Sequence, residues 1–227
     1  MTHIWTTNFY GNSNIGLYAF ATDEYCLIGF PLKKSIRERL EHVLKVPVHH
    51  ITMCGTSLIG VFITGNKNMI LVPSIAFDDE LHELKRLNIK YTVIETKLTA
   101  LGNNVLCNDN GCIANPDLGE ETIKKIGHAL KVPAVAGRIA DLEIVGSVAV
   151  ANSTHCLIHR DAKEHEIETV RKILNTKVET GTINMASPYI KSGIISNNHG
   201  LIVGDSSGGP EVANADEVLG HLGRHKE

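Results

Sequence analysis

The sequence lacks most of the features that announce a chemistry. It has five cysteines, an odd number with no CxxC pair, so nothing indicates a disulfide framework. No apolar run reaches membrane-spanning length. The polar first dozen residues hold no signal-peptide core, which points to the cytoplasm. No Walker loop is present and no GxGxxG follows a strand, so no nucleotide cofactor is expected. The net charge is only −3, which argues against a protein that wraps nucleic acid by charge alone. No Gly/Ser linker or charge block divides the 227 residues, so a single domain spanning 1–227 is expected.

What is present is repetition. A hydrophobic residue followed by glycine recurs at Ile15-Gly16, Ile59-Gly60, Leu101-Gly102 and Val145-Gly146, with a weaker fifth copy at Ser192-Gly193. The glycines lie 44, 42, 44 and 47 residues apart, a period of about 44 that marks a solenoid, propeller or array. Each copy continues with a turn rich in Asn, Asp and Gly, such as Gly65-Asn66-Lys67-Asn68 and Asn108-Asp109-Asn110-Gly111. A non-alternating apolar run follows, for instance Met69-Ile70-Leu71-Val72 or Cys156-Leu157-Ile158, which reads as a strand buried on both faces. Apolar residues three or four apart then define one helix face, as in Ile36, Leu40 and Val43 or Ile123, Ile126 and Leu130. Leu44-Lys45-Val46-Pro47 and Leu130-Lys131-Val132-Pro133 lead into a third strand. Each unit is therefore strand, strand, helix, strand.

The fifth copy has a helix near Val218, Leu219 and Leu222 and then no third strand. The segment Ile4-Trp5-Thr6-Thr7-Asn8-Phe9 precedes the first copy and belongs to none. If residues 3–10 supply the missing strand, the array closes into an α/β ring with helices outside and inner strands around a pseudo-fivefold axis. Closure also removes the need for polar capping repeats. Gly60 and Gly102 are expected where backbones approach closely around that axis.

The repeat register reinterprets several tempting clusters. Cys26, Cys112 and Cys156 begin the same buried strand in three copies and read as small core residues, while Cys54 and Cys107 are less constrained. Gly204-Asp205-Ser206-Ser207-Gly208-Gly209-Pro210 is one serine longer than a trypsin-type nucleophile loop, and Ser153-Thr154-His155-Cys156 lies only about fifty residues before it. It reads as a flexible loop leading to the last helix. His155 and His159 span a strand, where positions four apart do not converge on a metal, so no metal site is expected. His221, His225 and Lys226 read as a solvated helix end. Asp78, Asp79, Glu80, Glu120 and Glu121 sit at helix starts, where they favour the helix dipole.

One stretch carries a family resemblance. Thr99-Ala100-Leu101-Gly102-Asn103-Asn104-Val105-Leu106-Cys107-Asn108-Asp109 resembles the ALGN…CND signature of the translation initiation factor 6 family, the ribosomal anti-association factors of archaea and eukaryotes. Thr64-Gly65-Asn66, Ile70-Leu71-Val72-Pro73, Asn115-Pro116-Asp117-Leu118 and Asn198-His199-Gly200-Leu201 extend the likeness through all five copies. The chain ends just after the fifth helix, without the extension of eukaryotic members, and so resembles the archaeal form. The resemblance implies a pentein fold, in agreement with the ring. It implies a monomeric, non-enzymatic, cofactor-free protein that binds the large ribosomal subunit. The contacts would be to ribosomal proteins of the intersubunit face, near the sarcin–ricin loop, and the small subunit would be prevented from joining. Asn103, Asn104 and Asn66 interrupt the apolar pattern beside the repeat glycines and are the contact candidates, Asn103 first. The alternative within that fold is a guanidine-modifying deiminase or amidinotransferase, which would need a nucleophilic cysteine at the ring centre.

Overall fold

The computed structural model describes residues 3–222. It contains five three-stranded sheets. In the first unit, Ala19–Ala21 pairs antiparallel with Cys26–Ile28, and the helix Lys34–Leu44 then returns the chain to Val48–His50, parallel to Cys26–Ile28. The same order recurs around the helices Asp78–Arg86, Glu120–Leu130 and Glu164–Leu174. In the fifth unit, Ile194–Ser196, Leu201–Gly204 and the helix Gly209–Val218 are followed by no further strand among the described residues. The parallel partner of Leu201–Gly204 is Ile4–Thr7, so the two ends of the chain share one sheet and the ring closes. That strand is shorter than residues 3–10, because Phe9 and Asn12 already bridge a turn through mutual backbone bonds.

Each unit completes the core of its neighbour. Middle-strand residues Leu27, Leu71, Ile113 and Leu157 pack into the apolar cluster of the following unit, and Ile202 packs into that of the first. All are at most 1 % exposed, and burying a side chain of this size contributes about 1.5–3 kcal/mol. A unit cut from the ring would lose this partner on both sides.

The glycines make the axis. A Cβ on Gly60 would stand 1.9 Å from the Gly16 carbonyl oxygen, one on Gly102 2.1 Å from that of Gly60, and one on Gly146 2.3 Å from that of Gly102. On Gly16 it would meet the Lys191 carbonyl at 1.9 Å. The fifth axial position is therefore Ile190-Lys191, and Ser192-Gly193 lies two residues beyond the true register. The fifth unit carries a lysine where the other four carry the axial glycine.

Two polar devices fasten neighbouring units. The first uses the asparagine that opens the hairpin turn. The Asn66 side-chain amide donates to the carbonyls of Asn108 and Leu130, at 3.1 and 3.0 Å. Asn108 does the same to Asn152 and Leu174, both at 2.9 Å, and Asn197 to Thr22 and Leu44, at 2.9 and 2.8 Å. Asn152 reaches Leu219 at 2.9 Å. Each caps carbonyls at the C-terminus of the next unit's helix, which have no partner inside the helix. The first unit has Thr22 at this position, whose hydroxyl turns to its own Tyr25 carbonyl.

The second device is a glutamate at the start of a helix. Glu80 accepts from the backbone N–H groups of Cys54, Gly55 and Phe77 at 2.7–3.0 Å. Glu166 holds Ala140, Asp141 and Lys163 in the same way, and Glu211 holds Met185, Ala186 and Gly208. The clamped turns include left-handed non-glycine residues, Cys54, Ala140, Asp141, Met185 and Ala186. Glu80 is thus a buried clamp, beyond the dipole role its position suggests. Burial by itself would raise the Glu166 and Glu211 carboxyls. The hydrogen bonds prevail and hold both below the usual range, with Thr182 adding to the set on Glu211.

Two stability outcomes follow. Asn108→Ala removes the two bonds that its amide donates and the two that its oxygen accepts from the Asn110 and Gly111 N–H groups, and it strands the Asn152 carbonyl, so a loss of about 2–4 kcal/mol is expected in urea unfolding. Asn110→Ala, at a half-buried site, should lose about 1 kcal/mol or less. The clamps add an acid limit. With folded-state pKa values below the unfolded ones, Glu166 and Glu211 contribute stability that is complete above about pH 5 and lost as pH falls through the lower folded values. Glu166→Gln should reduce stability at pH 7 and make the loss on acidification shallower, as read from unfolding midpoints between pH 7 and pH 3.

Candidate functional site

The ring has two unlike ends. At one end the central helical turns converge, including Ile59–Phe62 and Leu101–Asn104. The residue after each axial position is Leu17, Val61, Asn103, Ser147 and Ser192 in turn, so this end runs from apolar in two units to polar in three. A depression of about 370 Å³ sits here, with Asn103, Asn14, Ser147, Ser187 and Tyr189 among its lining residues. Tyr189 is 46 % exposed beside it, and Met185, on the clamped turn that leads to Ser187, is 82 % exposed.

The three asparagine candidates separate at this point. Asn103 lies on the depression, and its carbonyl accepts from the N–H groups of Gly146 and Ser147, at 2.9 and 3.2 Å. Its side-chain amide makes no hydrogen bond among the described residues. Asn104 is one position further round the turn and buried. Its amide donates to Ala100 and its oxygen accepts from Asn115 at 2.7 Å. Asn66 is buried as an inter-unit cap. Only Asn103 presents its side chain to a surface.

The serine loop is structural, and it is fastened where flexibility was expected. Asp205 accepts from Asn8 and Ser13, both at 2.6 Å, and Ser206 meets Ser13 at 2.7 Å. Ser207 and Asn184 exchange bonds at 3.0 and 3.1 Å, and the Asn184 amide donates to the Ser13 carbonyl at 2.9 Å. Bonds from Ser13 and Asn8 hold the Asp205 carboxyl below its usual range. The loop clasps the fifth unit to the start of the first, across the ring closure.

At the other end are the hairpin turns. Lys67 pairs with Asp109 at 3.5 Å, and Asp23 accepts from the Asn198 backbone at 2.8 Å. They surround a well of about 200 Å³. It continues inward to a chamber lined by Thr64, Cys107, Lys191 and Ser196. Lys191 turns into the pore from its axial position and donates to the Gly102 carbonyl at 2.7 Å, linking the fifth unit to the third. The residue is half-buried, and desolvation lowers the pKa of its ammonium to about 8. Reading the sequence missed Lys191. The available signal was a lysine where the register demands glycine.

The cysteines are poorly disposed to act as nucleophiles. Burial raises the Cys26 thiol to about 12 and Cys112 and Cys156 well above their usual value. Cys54 and Cys107 are each raised to about 11, mainly by burial. The thiolate is the reactive form, and none of these sites favours it. Among the described residues no group of three or more His, Cys, Asp or Glu side chains could hold a metal ion. His155 and His159 stand about 13 Å apart along one strand. His221 is 1 % exposed and stacks on His3 with ring centroids 6.1 Å apart, so it is a buried contact of the closing strand and not a solvated helix end. His225 and Lys226 lie outside the described residues.

Comparison with known proteins identifies the fold and family. The N-terminal domain of ArgZ, an arginine dihydrolase, superposes with a TM-score of 0.50 over 86 % of this chain and 73 % of that domain, at 10 % identity. The ring is therefore of the pentein type. The eIF-6 family model matches residues 4–218. Translation initiation factor 6 of Sulfolobus acidocaldarius is 35 % identical over 90 % of this chain and 93 % of its own. That of Staphylothermus marinus is 37 % identical, covering 90 % and 92 %, and that of Thermococcus onnurineus is 35 % identical, covering 97 % and 99 %. With its full repeat array matched to these archaeal translation initiation factors, the chain belongs to the eIF-6 family.

Proposed function

We propose that the protein binds the large ribosomal subunit and, by covering its intersubunit face, keeps the small subunit from joining. The observation that carries this reading is family membership along essentially the whole chain, with named relatives that are translation initiation factors. The architecture supports it. A closed, clamped ring loses little conformational entropy on docking, and a broad rigid body obstructs a second subunit by bulk alone. It acts as a monomer in the cytoplasm, where ribosomal subunits are found. Among the described residues no helix is long and apolar enough to cross a membrane.

Docking is assigned to the end of the ring that carries Asn103. The Asn103 side chain has uncommitted donors and acceptors there, beside exposed Tyr189 and Met185. Aromatic anchors beside a polar group suit a protein–protein contact. A net charge of −3 fits contacts to ribosomal proteins near the sarcin–ricin loop better than contacts to RNA phosphates. Asn66 and Asn104 act indirectly, by holding the ring and the turn in shape. The guanidine-modifying alternative is disfavoured, since all five cysteine thiols are raised in pKa and the ArgZ likeness concerns the fold alone.

Sucrose-gradient sedimentation of mixed subunits tests the reading: added protein should shift joined ribosomes to separate subunits and co-migrate with the large one. An unchanged yield of joined ribosomes would defeat it. Asn103→Ala should weaken binding to large subunits about 5–30-fold, a loss of about 1–2 kcal/mol, with the unfolding midpoint unchanged. Asn66→Ala should lower the midpoint instead.

A further inference from the structure

Lys191 stands where four units have glycine. Those four show that the axial turns gather without a side chain at this place, so packing does not call for a lysine. A position that departs from a rule its counterparts obey is where a functional reason is to be sought. Here the reason lies in what the lysine bonds.

Hydrogen bonds join the axial turns of units three, four and five into one circuit. The Asn103 carbonyl accepts from the N–H groups of Gly146 and Ser147, at 2.9 and 3.2 Å. The Ser147 carbonyl accepts from the Lys191 N–H at 3.1 Å. The Lys191 side chain then crosses back to unit three and donates to the Gly102 carbonyl at 2.7 Å. That last link needs a side chain, and glycine at 191 would leave the circuit open. Among the described residues no backbone bond joins the axial turn of unit one to that of unit two, or that of unit two to that of unit three. The circuit therefore belongs to the polar part of this end, where Asn103, Ser147 and Ser192 follow the axial positions.

The circuit grips Asn103 from both sides. The Gly102 carbonyl is part of the peptide plane that precedes the Asn103 α-carbon, and the Asn103 carbonyl is part of the plane that follows it. A peptide plane is rigid, so holding both planes fixes the two dihedrals between them, and with them the direction of the Cα–Cβ bond. Lys191 holds the first plane, and Gly146 and Ser147 hold the second. The Asn103 side chain, which lies on the depression, is thus aimed by its backbone.

We propose that Lys191 is a positioning residue for docking, closing the axial circuit so that the Asn103 side chain is held toward its partner. This role rests on the reading that Asn103 contacts the large ribosomal subunit. A turn fixed before docking loses less freedom on binding, which is how a residue behind the contact adds affinity. Lysine suits the task, since its long stem reaches from the fifth turn to the third and its charged donor makes a stronger bond than a neutral one.

A double-mutant cycle on binding to purified large subunits tests this, with amide hydrogen exchange as the second readout. Lys191→Met, and Lys191→Gly with the residue of the other four units, should each weaken binding about 3–10-fold. In the Asn103→Ala background the same changes should cost nothing further, because no side chain remains to be aimed. The Gly146 amide should exchange faster in both Lys191 variants, while Leu71 and Leu157 in the middle strands keep their protection. A lysine that met the subunit directly would give losses that add in full. Unweakened binding by the Lys191 variants, full additivity with Asn103→Ala, or an unchanged Gly146 exchange rate would each overturn the proposal. If Asn103→Ala alone leaves binding intact, the docking assignment fails and takes the proposal with it, a result visible without any Lys191 variant.

Discussion

The structure depends on one close approach, the carbonyl of each axial turn lying against the α-carbon of the next. With 1.9–2.3 Å from these oxygens to an ideal Cβ at Gly16, Gly60, Gly102 and Gly146, no side chain fits in that direction. The five turns can therefore gather tightly around one axis, and the sheets fan outward from it. Helices fill the wedge between neighbouring sheets, which is why each apolar cluster draws on two units. Closure follows, since an open array would leave one middle strand and one helix without partners.

Polar side chains then fix what apolar packing leaves loose. Hydrophobic burial is non-directional, and on its own it would tolerate small rotations of one unit against the next. The asparagine caps and glutamate clamps remove that freedom, because each joins a side chain to backbone groups at a set distance and angle. They also meet a requirement of a ring built from short elements, that helix ends and left-handed turns lie inside and need partners. The seam between fifth and first units gains a denser set of bonds around Asp205, Ser207 and Asn184, where no covalent connection supports the join.

The outline of the fold was legible in the sequence. The order strand, strand, helix, strand, the helix faces and the unpaired first strand follow from periodicity and turn chemistry, since these depend on neighbours a few residues away. The buried strands were equally visible, as runs such as Ile70-Leu71-Val72 leave no side for water. The register of the fifth unit was not. Gly193 is the glycine nearest the repeat period, while the axial position belongs to Lys191, whose side chain enters the pore. The expectation of a loose serine loop failed for a related reason, because its partners Asn8 and Ser13 lie almost two hundred residues away in sequence.

By itself, the sequence determined a five-unit α/β ring and membership of the eIF-6 family, because repeat period, helix face and signature residues are local or collective properties of the chain. The tertiary structure decided the roles of individual polar residues. Asn66, Asn103 and Asn104 look alike in sequence, each a polar residue that interrupts an apolar stretch. Asn66 caps a helix in the next unit, Asn104 ties its turn to Asn115, and Asn103 faces outward. An amide is satisfied equally well by water or by a carbonyl some sixty residues away, and only closure of the ring sets which of these it meets.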